Sequence, residues 1–232
     1  MNLQLNSKVE DIKGVGSRYR QILNKNCIFT VFDLLLHFPI FYIDFSKVQT
    51  RIEIDKKMLY SAEIINTTLT RNYRRRLSIL KVNARVGQDK VDIIFFNKPY
   101  LKDSLIKKRN IFVYGAFEKR EHRILMNTPT LFFETEPHLV VPLYAKISTI
   151  KSGIIRKIIK NCLLKLQDDF ECLPDEIILG YNFPSVVVAL KSLHFPKEYI
   201  PQEIILNKRR FIYTEFLFFQ LELQYIRNYF KK

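Results

Sequence analysis

The segment FFNKPYL, residues 95–101, places an aromatic side chain at each end of a short loop, with a lysine between them. It continues the apolar run KVDIIFF, which has the composition of a buried strand. Because successive strand side chains point to opposite faces, only one of Phe95 and Phe96 can enter the core. Phe96 and Tyr100 could then stack on bases exposed where a duplex opens, at roughly 1–3 kcal/mol per base. The alternative is a core phenylalanine and a tyrosine that caps the next helix.

Four arginines surround one tyrosine in the stretch TRNYRRRLSI, residues 70–79. Arginines neutralise backbone phosphates and an aromatic ring can stack on a base, so this composition suits a nucleic-acid partner. The alternative is the solvated tip of a hairpin, which is the usual role of a charge run. The candidate residues are Arg71, Tyr73, Arg74, Arg75 and Arg76.

A Gly-Val-Gly turn lies in IKGVGSRYRQIL, residues 12–23, between two predicted helices. Backbone N–H groups at such a turn can hold a phosphate, as in helix-hairpin-helix DNA binders. Gly14 and Gly16 would form this contact, and Arg18 and Arg20 would add charge. A tight turn that needs glycine for a positive φ explains the pattern equally well.

No residue pattern predicts a catalytic or metal site. The phosphate-loop pattern GxxxxGK[ST] does not occur, so we expect no ATPase activity and no enzyme in this chain alone. The three cysteines form no CxxC pair, and the four histidines lie in unrelated segments without ligand spacing. We therefore expect no catalytic residue, no metal and no cofactor bound by this chain.

Five β-rich runs between residues 57 and 135 must position the first two candidate loops. They are LYSAEIINTTLT, LSILKVNARV, KVDIIFF, NIFVYGAFEKR and RILMNTPTLFF, with the helical stretch YLKDSLIKK between the third and the fourth. This is the layout of a five-stranded OB-fold barrel. The arginine run then joins strands one and two, a loop with which OB-folds hold oligonucleotides.

Helical patterns flank these runs on both sides. We predict an α+β protein with a helical N-terminal piece over 1–56, the OB-fold over 57–135 and a helical region over 136–232. Helices in the last region should break at Pro174, Pro184, Pro196 and Pro201.

The chain is strongly basic, with 38 Lys and Arg against 23 Asp and Glu among 232 residues, a formal net charge of +15. This charge supports a polyanionic partner, although lysine is frequent throughout the sequence. The N-terminus lacks the apolar core of a signal peptide, and polar residues interrupt the apolar stretch 211–230 too often for a membrane span. We expect a cytoplasmic protein that contacts no membrane.

Taken in order, several stretches resemble the N-terminal wedge region of the RecG family of ATP-dependent DNA helicases over nearly the full length. IKGVGSRYRQIL is similar to the opening motif of that family, and VDIIFFNKPYLKDSL to its wedge segment. The more specific matches are TVFDLLLHFPIFYIDFS and LPDEIILGYNFPSVVVALKSLHFP. KRRFIYTEFLFFQLEL looks like the helix that leads into the motor domains.

The resemblance implies a wedge that splits strands at forks and junctions, in DNA repair, recombination and replication-fork processing. It implies that Phe96 and Tyr100 stack on the unpaired bases, with Lys98 near a phosphate. ATP and magnesium would belong to the motor of full-length relatives. Two departures stand out: Ile40 and Phe41 replace two arginines that often follow HFP, and NTPT, residues 127–130, replaces the usual HPE.

The sequence stops at Lys232, where the family's two motor domains begin. A fragment, the product of a broken gene, and a subunit that acts with a separate or downstream motor are all compatible with this. Two rival functions also stay open: an RNA-binding OB-fold protein of the translation apparatus, and an inert or regulatory fragment.

Overall fold

The structure is a computed structural model that describes residues 3–72, 76–133, 140–167 and 170–230. The chain divides into two compact units. The helical unit comprises the chain up to Tyr42 together with the chain from Pro142 onward, and the sheet unit is Ile43–Val141. The boundaries 1–56, 57–135 and 136–232 stay a prediction of the sequence.

In chain order, the elements of the sheet unit follow the first elements of the helical unit and precede its remaining ones. The helices are α1 Ser17–Lys25, α2 Val31–Leu35, α3 Lys102–Ile106, α4 Ser152–Leu163, α5 Asp175–Tyr181, α6 Val186–His194 and α7 Pro201–Tyr229. The strands are β1 Phe41–Asp44, β2 Lys57–Asn72, β3 Leu77–Val86, β4 Asp89–Phe96, β5 Asn110–Ala116, β6 Glu118–Arg120, β7 Arg123–Asn127, β8 Thr130–Phe132 and β9 Val140–Leu143. The predicted α+β class is confirmed.

Local sequence signals explain where several helices begin. Thr30 caps α2: its Oγ1 accepts from the backbone N–H of Asp33 at 3.1 Å, and the Asp33 carboxylate accepts from the N–H of Thr30 at 2.9 Å. Pro174 precedes α5, Ser185 caps α6, and Pro201 is the first residue of α7. The helices α5, α6 and α7 therefore begin within two residues of three of the predicted breaks, Pro174, Pro184 and Pro201.

The two ends of the chain form one hydrophobic core in the helical unit. Val31 and Leu35 of α2 belong to the same buried cluster as Ile155 and Ile159 of α4 and Leu190 of α6. Burial of this shared apolar surface holds together segments that are about a hundred residues apart in sequence.

The sheet unit contains a seven-stranded sheet in the order β6-β7-β4-β3-β2-β5-β8. The fourth predicted run divides into β5 and β6 at the buried Phe117, and the fifth divides into β7 and β8 at Thr128 and Pro129. Each half has a different partner: β5 pairs with β2, β6 with β7, β7 in parallel with β4, and β8 with β5. The run 110–120 thus contributes β6 at one edge of the sheet and β5 near the other edge. Because both divided runs change partner strands in this way, two of the predicted runs are observed as four strands.

Among the described residues, no single helix is long and apolar enough to cross a membrane. The pair α5 and α6, bent by 43°, meets that test of length and composition only when the two helices are taken together.

Candidate nucleic-acid interface

The end of β4 separates its two phenylalanines as strand alternation predicts. Phe95 is fully buried in the core of the sheet unit, together with Leu80 and Leu105. Phe96, the last residue of the strand, is 39% exposed. Its side chain is therefore accessible at the end of this interior strand.

The aromatic loop, residues 96–101, is held in a defined shape by backbone and side-chain contacts. Asn97 adopts a positive φ of 53°, which asparagine tolerates better than most residues. Pro99 begins a single turn of 3₁₀ helix, Pro99–Leu101, which leads directly into α3. Tyr100 is 61% exposed, and the N-terminus of α3 has no side-chain cap. Tyr100 thus does not cap the following helix.

Lys98 lies at the base of this loop. Its side chain is half-buried, and its Nζ lies 5.6 Å from the centre of the Phe95 ring. This distance is within the range of a cation–π contact. The contact places the charge of Lys98 against the ring of the buried Phe95.

The arginine hairpin, residues 71–76, connects β2 and β3. The two strands stay paired up to Asn72 and Leu77, with Arg71 opposite Ser78. Arg71 and Arg76 are exposed, and Arg76 has a positive φ of 49°. The other three candidates, Tyr73, Arg74 and Arg75, lie outside the described residues.

Two hydrogen bonds bring the aromatic loop and the arginine hairpin together. The N–H of Asn97 donates to the carbonyl of Ser78 at 2.8 Å, and the N–H of Ser78 donates to Oδ1 of Asn97 at 3.1 Å. Since Ser78 pairs with Arg71 across the β2–β3 ladder, both loops emerge at the same end of the sheet. Two stretches that the sequence suggested separately thus lie at one end of the sheet.

The glycine turn, residues 14–16, lies in the helical unit. Gly14 has a φ of +105°, a conformation that favours glycine, and Gly16 precedes α1 with an extended backbone. Arg18 is exposed, whereas Arg20 forms a 2.6 Å ion pair with Glu10. The turn geometry alone accounts for Gly14, and the phosphate-binding role of Gly14, Gly16 and Arg18 stays a prediction.

The pairing of Arg20 with Glu10 also affects ionisation. The hydrogen bond from the Arg20 guanidinium lowers the pKa of the Glu10 carboxyl below its ordinary value. Arg20 is therefore already engaged by a carboxylate within the chain, and it is a weaker candidate for a phosphate than Arg18.

A basic groove that sequence reasoning missed lies on the outer face of β3 and β4. It has a volume of about 490 Å³, and its basic side chains are Lys81, Arg85, Lys90 and Arg123. Lys81 forms a 2.8 Å ion pair with Asp92, which also accepts a 2.6 Å hydrogen bond from the Asn83 amide. Strand alternation in LSILKVNARV, residues 77–86, could have found the outward positions of Lys81 and Arg85.

The two LHFP stretches, residues 36–39 and 193–196, meet at a single tyrosine. The rings of His37 and His194 both stack on Tyr144, with ring centres 6.2 Å and 5.8 Å away. Tyr144 Oη lies 3.0 Å from Nδ1 of His194, and Nε2 of His194 lies 2.8 Å from the carbonyl oxygen of Leu35. A neutral His194 that donates from Nε2 and accepts at Nδ1 satisfies both contacts.

The environment of His194 makes these motifs structural. Burial disfavours the charged imidazole and lowers the pKa of His194 to about 4. In the described part of the chain, no group of three or more His, Cys, Asp or Glu side chains could hold a metal ion. His37 and His194 thus contribute to packing and hydrogen bonding in the helical unit.

Comparison with known proteins gives matches over most of the chain. The RecG wedge domain family matches residues 8–166, more than half of the chain. The ATP-dependent DNA helicase RecG of Bacillus subtilis (strain 168) is 27% identical over 228 residues, which is 96% of this chain and 33% of that protein. The ATP-dependent DNA helicase RecG of Staphylococcus aureus (strain NCTC 8325 / PS 47) is 27% identical over 226 residues, covering 94% of this chain and 32% of that protein.

A solved structure of RecG bound to a three-way DNA junction has the same fold. The TM-score is 0.76 at 24% sequence identity, and the match covers 98% of this chain and 32% of that chain. This chain therefore spans about a third of the length of the relatives it matches.

Proposed function

Since this chain belongs to the RecG wedge domain family, we propose that it binds branched DNA and separates the two strands at the branch point. The junction-bound state of the structural relative supports this partner. Forks and junctions expose unpaired bases beside charged backbones, and the chain offers a surface for both groups.

The observation that carries the proposal is the hydrogen-bonded link between Asn97 and Ser78. It fixes two exposed aromatic rings beside a hairpin with exposed arginines. Stacking of bases on aromatic rings needs unpaired nucleotides, whereas phosphate contacts are available on any DNA. A surface that combines the two therefore prefers a fork to an unbranched duplex.

Each part of the surface has a separate role in this proposal. Phe96 and Tyr100 stack on the first unpaired bases, and Lys98 contacts a nearby phosphate. The arginine hairpin, residues 71–76, neutralises backbone phosphates, with Tyr73 as a further stacking ring. The glycine turn, with Arg18, provides another phosphate contact on the helical unit. The basic groove extends the charged surface along β3 and β4.

We further propose that the sheet unit is an OB-fold. The strand pairing supports this. The first half of the run 110–120, β5, pairs with β2, and its second half, β6, pairs with β7. One run thus joins both sides of the sheet, as a closed five-stranded barrel requires. A helix between the third and fourth runs, observed as α3, belongs to the same layout. The predicted boundaries 57–135 describe this barrel in the sequence.

Strand separation also needs force, which we assign to a motor outside these residues. The matched relatives are ATP-dependent helicases about three times as long, so ATP and magnesium would act in their remaining parts. This chain alone is then a binding module and not an enzyme. We place its activity in DNA repair, recombination and fork processing in the cytoplasm.

A competition experiment separates this proposal from its RNA-binding alternative. A labelled DNA fork bound to the intact chain is displaced by unlabelled fork or by a structured RNA of equal length, at one fixed salt concentration. We expect the fork to compete at about tenfold lower concentration, which corresponds to about 1.4 kcal/mol. Equal or better competition by RNA overturns the proposal, and a failure to bind either competitor favours an inert fragment.

A further inference from the structure

The segment 146–165, which includes α4, carries only positive charge. It contains six basic residues and no aspartate or glutamate. On the sheet unit, by contrast, basic side chains such as Lys81 and Arg109 are paired with carboxylates. Lys157 and Lys160 of α4 form no ion pair with any residue that the structure describes. Their charge is therefore available to a partner outside these residues.

One side of α4 packs into the core of the helical unit, and the opposite side carries the two lysines. The buried side consists of Ile155, Ile158, Ile159, Cys162 and Leu163. Lys157 is exposed, and the half-buried Lys160 and Asn161 lie beside it, because residues three and four positions apart are neighbours on a helix surface. The two lysines thus project from the side of α4 that faces away from the core.

A hydrogen bond joins this side of α4 to the glycine turn. Nδ2 of Asn161 donates to the carbonyl oxygen of Lys13 at 2.8 Å. A side chain at Gly14 would place its Cβ 3.6 Å from the same Nδ2, so the turn packs directly against α4. Lys13 is exposed. The structure thus brings three lysines of two distant segments to one surface, the lysine face: Lys13, Lys157 and Lys160.

The composition of the lysine face favours double-stranded DNA as its partner. Lysines neutralise backbone phosphates irrespective of the base sequence. Proteins that bind single strands add aromatic rings on which bases stack, and the segment 146–165 contains no Phe, Tyr or Trp. On the basis of the proposed binding of branched DNA, we propose that the lysine face binds the phosphates of one duplex arm.

The length of α4 suits this contact. Its 12 residues extend over about 18 Å, and one strand of B-DNA presents a phosphate about every 3.4 Å along the axis. The helix can therefore lie beside about five phosphates of one strand. Binding at this face should depend on the salt concentration and on the presence of a duplex, and not on the base sequence.

Fluorescence anisotropy of the intact chain with a labelled unbranched duplex, in about 50 to 200 mM salt, tests the proposal. Lys157→Ala with Lys160→Ala should weaken duplex binding. It should also make the log–log slope against salt less negative by about 2, because each phosphate contact contributes about 0.9. Lys157→Arg with Lys160→Arg keeps both charges and should bind the duplex like the parent chain.

Lys191→Ala with Lys197→Ala is the matched control within the helical unit. Both lysines are exposed, and they border a cavity that also includes Glu198 and Glu203. Since these carboxylates offset their charge, removal of the control lysines should leave the salt slope unchanged. Equal slope changes for the two pairs overturn the proposal. So does an equal loss of affinity by the α4 variant for the duplex and for a single strand of the same length.

The same titrations with a fork separate this proposal from the proposed function. The alanine pair at Lys157 and Lys160 should lower the affinity for a fork with duplex arms and for the unbranched duplex by the same factor, so the fork preference stays intact. A parent chain without fork preference contradicts the proposed function. A duplex affinity that the alanine pair leaves unchanged contradicts the role of the lysine face.

Discussion

Phe96 and Tyr100 leave apolar rings in solvent beside a core that buries residues of the same kind. Phe95 and Leu105, one residue before and five residues after this pair, are fully buried. Scattered exposed apolar residues are common in proteins, so exposure alone carries no function. Here the two rings are fixed on one short loop with a proline, next to exposed arginines, and stacking on bases would cover them.

The stacking role predicts a spectroscopic signal. With 2-aminopurine as the first unpaired base of a fork, the intact chain should quench its fluorescence, because stacking on an aromatic ring shortens the excited state. The double variant Phe96→Ala with Tyr100→Ala should lose most of this quenching. Its affinity for the fork should fall about tenfold, while its affinity for the duplex should stay nearly unchanged.

Ile106→Ala is a control for the loss of exposed apolar surface, since Ile106 is 60% exposed at the end of α3. It should leave both the quenching and the fork preference in place. If fork and duplex affinity fall together in the double variant, the two rings serve the structure rather than the branch point.

The buried His194 predicts a pH dependence of stability. Its pKa is lowered to about 4 in the folded chain, against an ordinary value of 6.5. Between pH 6.5 and pH 4, the unfolded chain therefore binds a proton at His194 that the folded chain does not bind. The free energy of unfolding thus decreases as the pH falls from 6.5 towards 4. Urea unfolding should give about 2 kcal/mol less stability at pH 5 than at pH 7.

Other groups also titrate in this window, so the test compares two variants. His194→Gln should be less stable than the parent chain at pH 7. On the change to pH 5, however, its free energy of unfolding should decrease by about 2 kcal/mol less than that of the parent. His122→Gln, at an exposed position, should keep the full pH dependence. Equal pH dependence in the parent and the His194 variant would remove His194 as its cause.

The positions of some single residues could be predicted from the sequence, and those of others could not. Strand alternation predicted that only one of Phe95 and Phe96 enters the core, because that follows from neighbours in the chain. The stacking of His37 and His194 on Tyr144 could not be predicted, since it joins three residues that are far apart in sequence. The motifs were visible, but their common partner was not.

At the scale of elements, the β2–β3 hairpin carries the exposed arginines at the far end of a sixteen-residue strand. Its position beside the aromatic loop depends on the Ser78–Asn97 hydrogen bonds. The five β-rich runs and the helix between the third and fourth were visible in the sequence. The division into seven strands was not, because each half of a divided run has a different partner strand.

The arginine hairpin predicts a change in salt dependence. Arg71→Ala with Arg76→Ala should weaken binding to forks and duplexes alike and make the log–log slope against salt less negative by about 2, because each phosphate contact contributes about 0.9. Titrations between about 50 and 200 mM salt measure this slope.

Lys56→Ala with Lys57→Ala removes the same charge from the start of β2, about 45 Å along the strand from Arg71. Both lysines are exposed, and the ion pair that the variant removes, Lys56 with Glu53 at 2.6 Å, lies on the surface, so the fold and the slope should stay unchanged. If the arginine pair and the lysine pair changed the salt slope equally, only the net charge of the chain would determine the slope, and the arginine hairpin would have no specific role.

At the scale of the whole molecule, the chain consists of a helical unit built from both of its ends and a sheet unit between them. This division was not visible in the sequence, where the two helical segments look like separate pieces. Their union depends on long-range packing of residues such as Val31 and Ile159. The sheet unit carries the candidate interface, and its strand pairing places both loops at one end.

The intact chain should prefer a branched DNA to an unbranched duplex, and one equilibrium measurement tests this preference. Fluorescence anisotropy compares a DNA fork with an unbranched duplex of equal length and total charge, in about 100 mM salt and without ATP. Two stacked bases at roughly 1–3 kcal/mol each predict at least tenfold tighter binding to the fork. Equal affinity for the two DNAs would contradict binding through stacked unpaired bases.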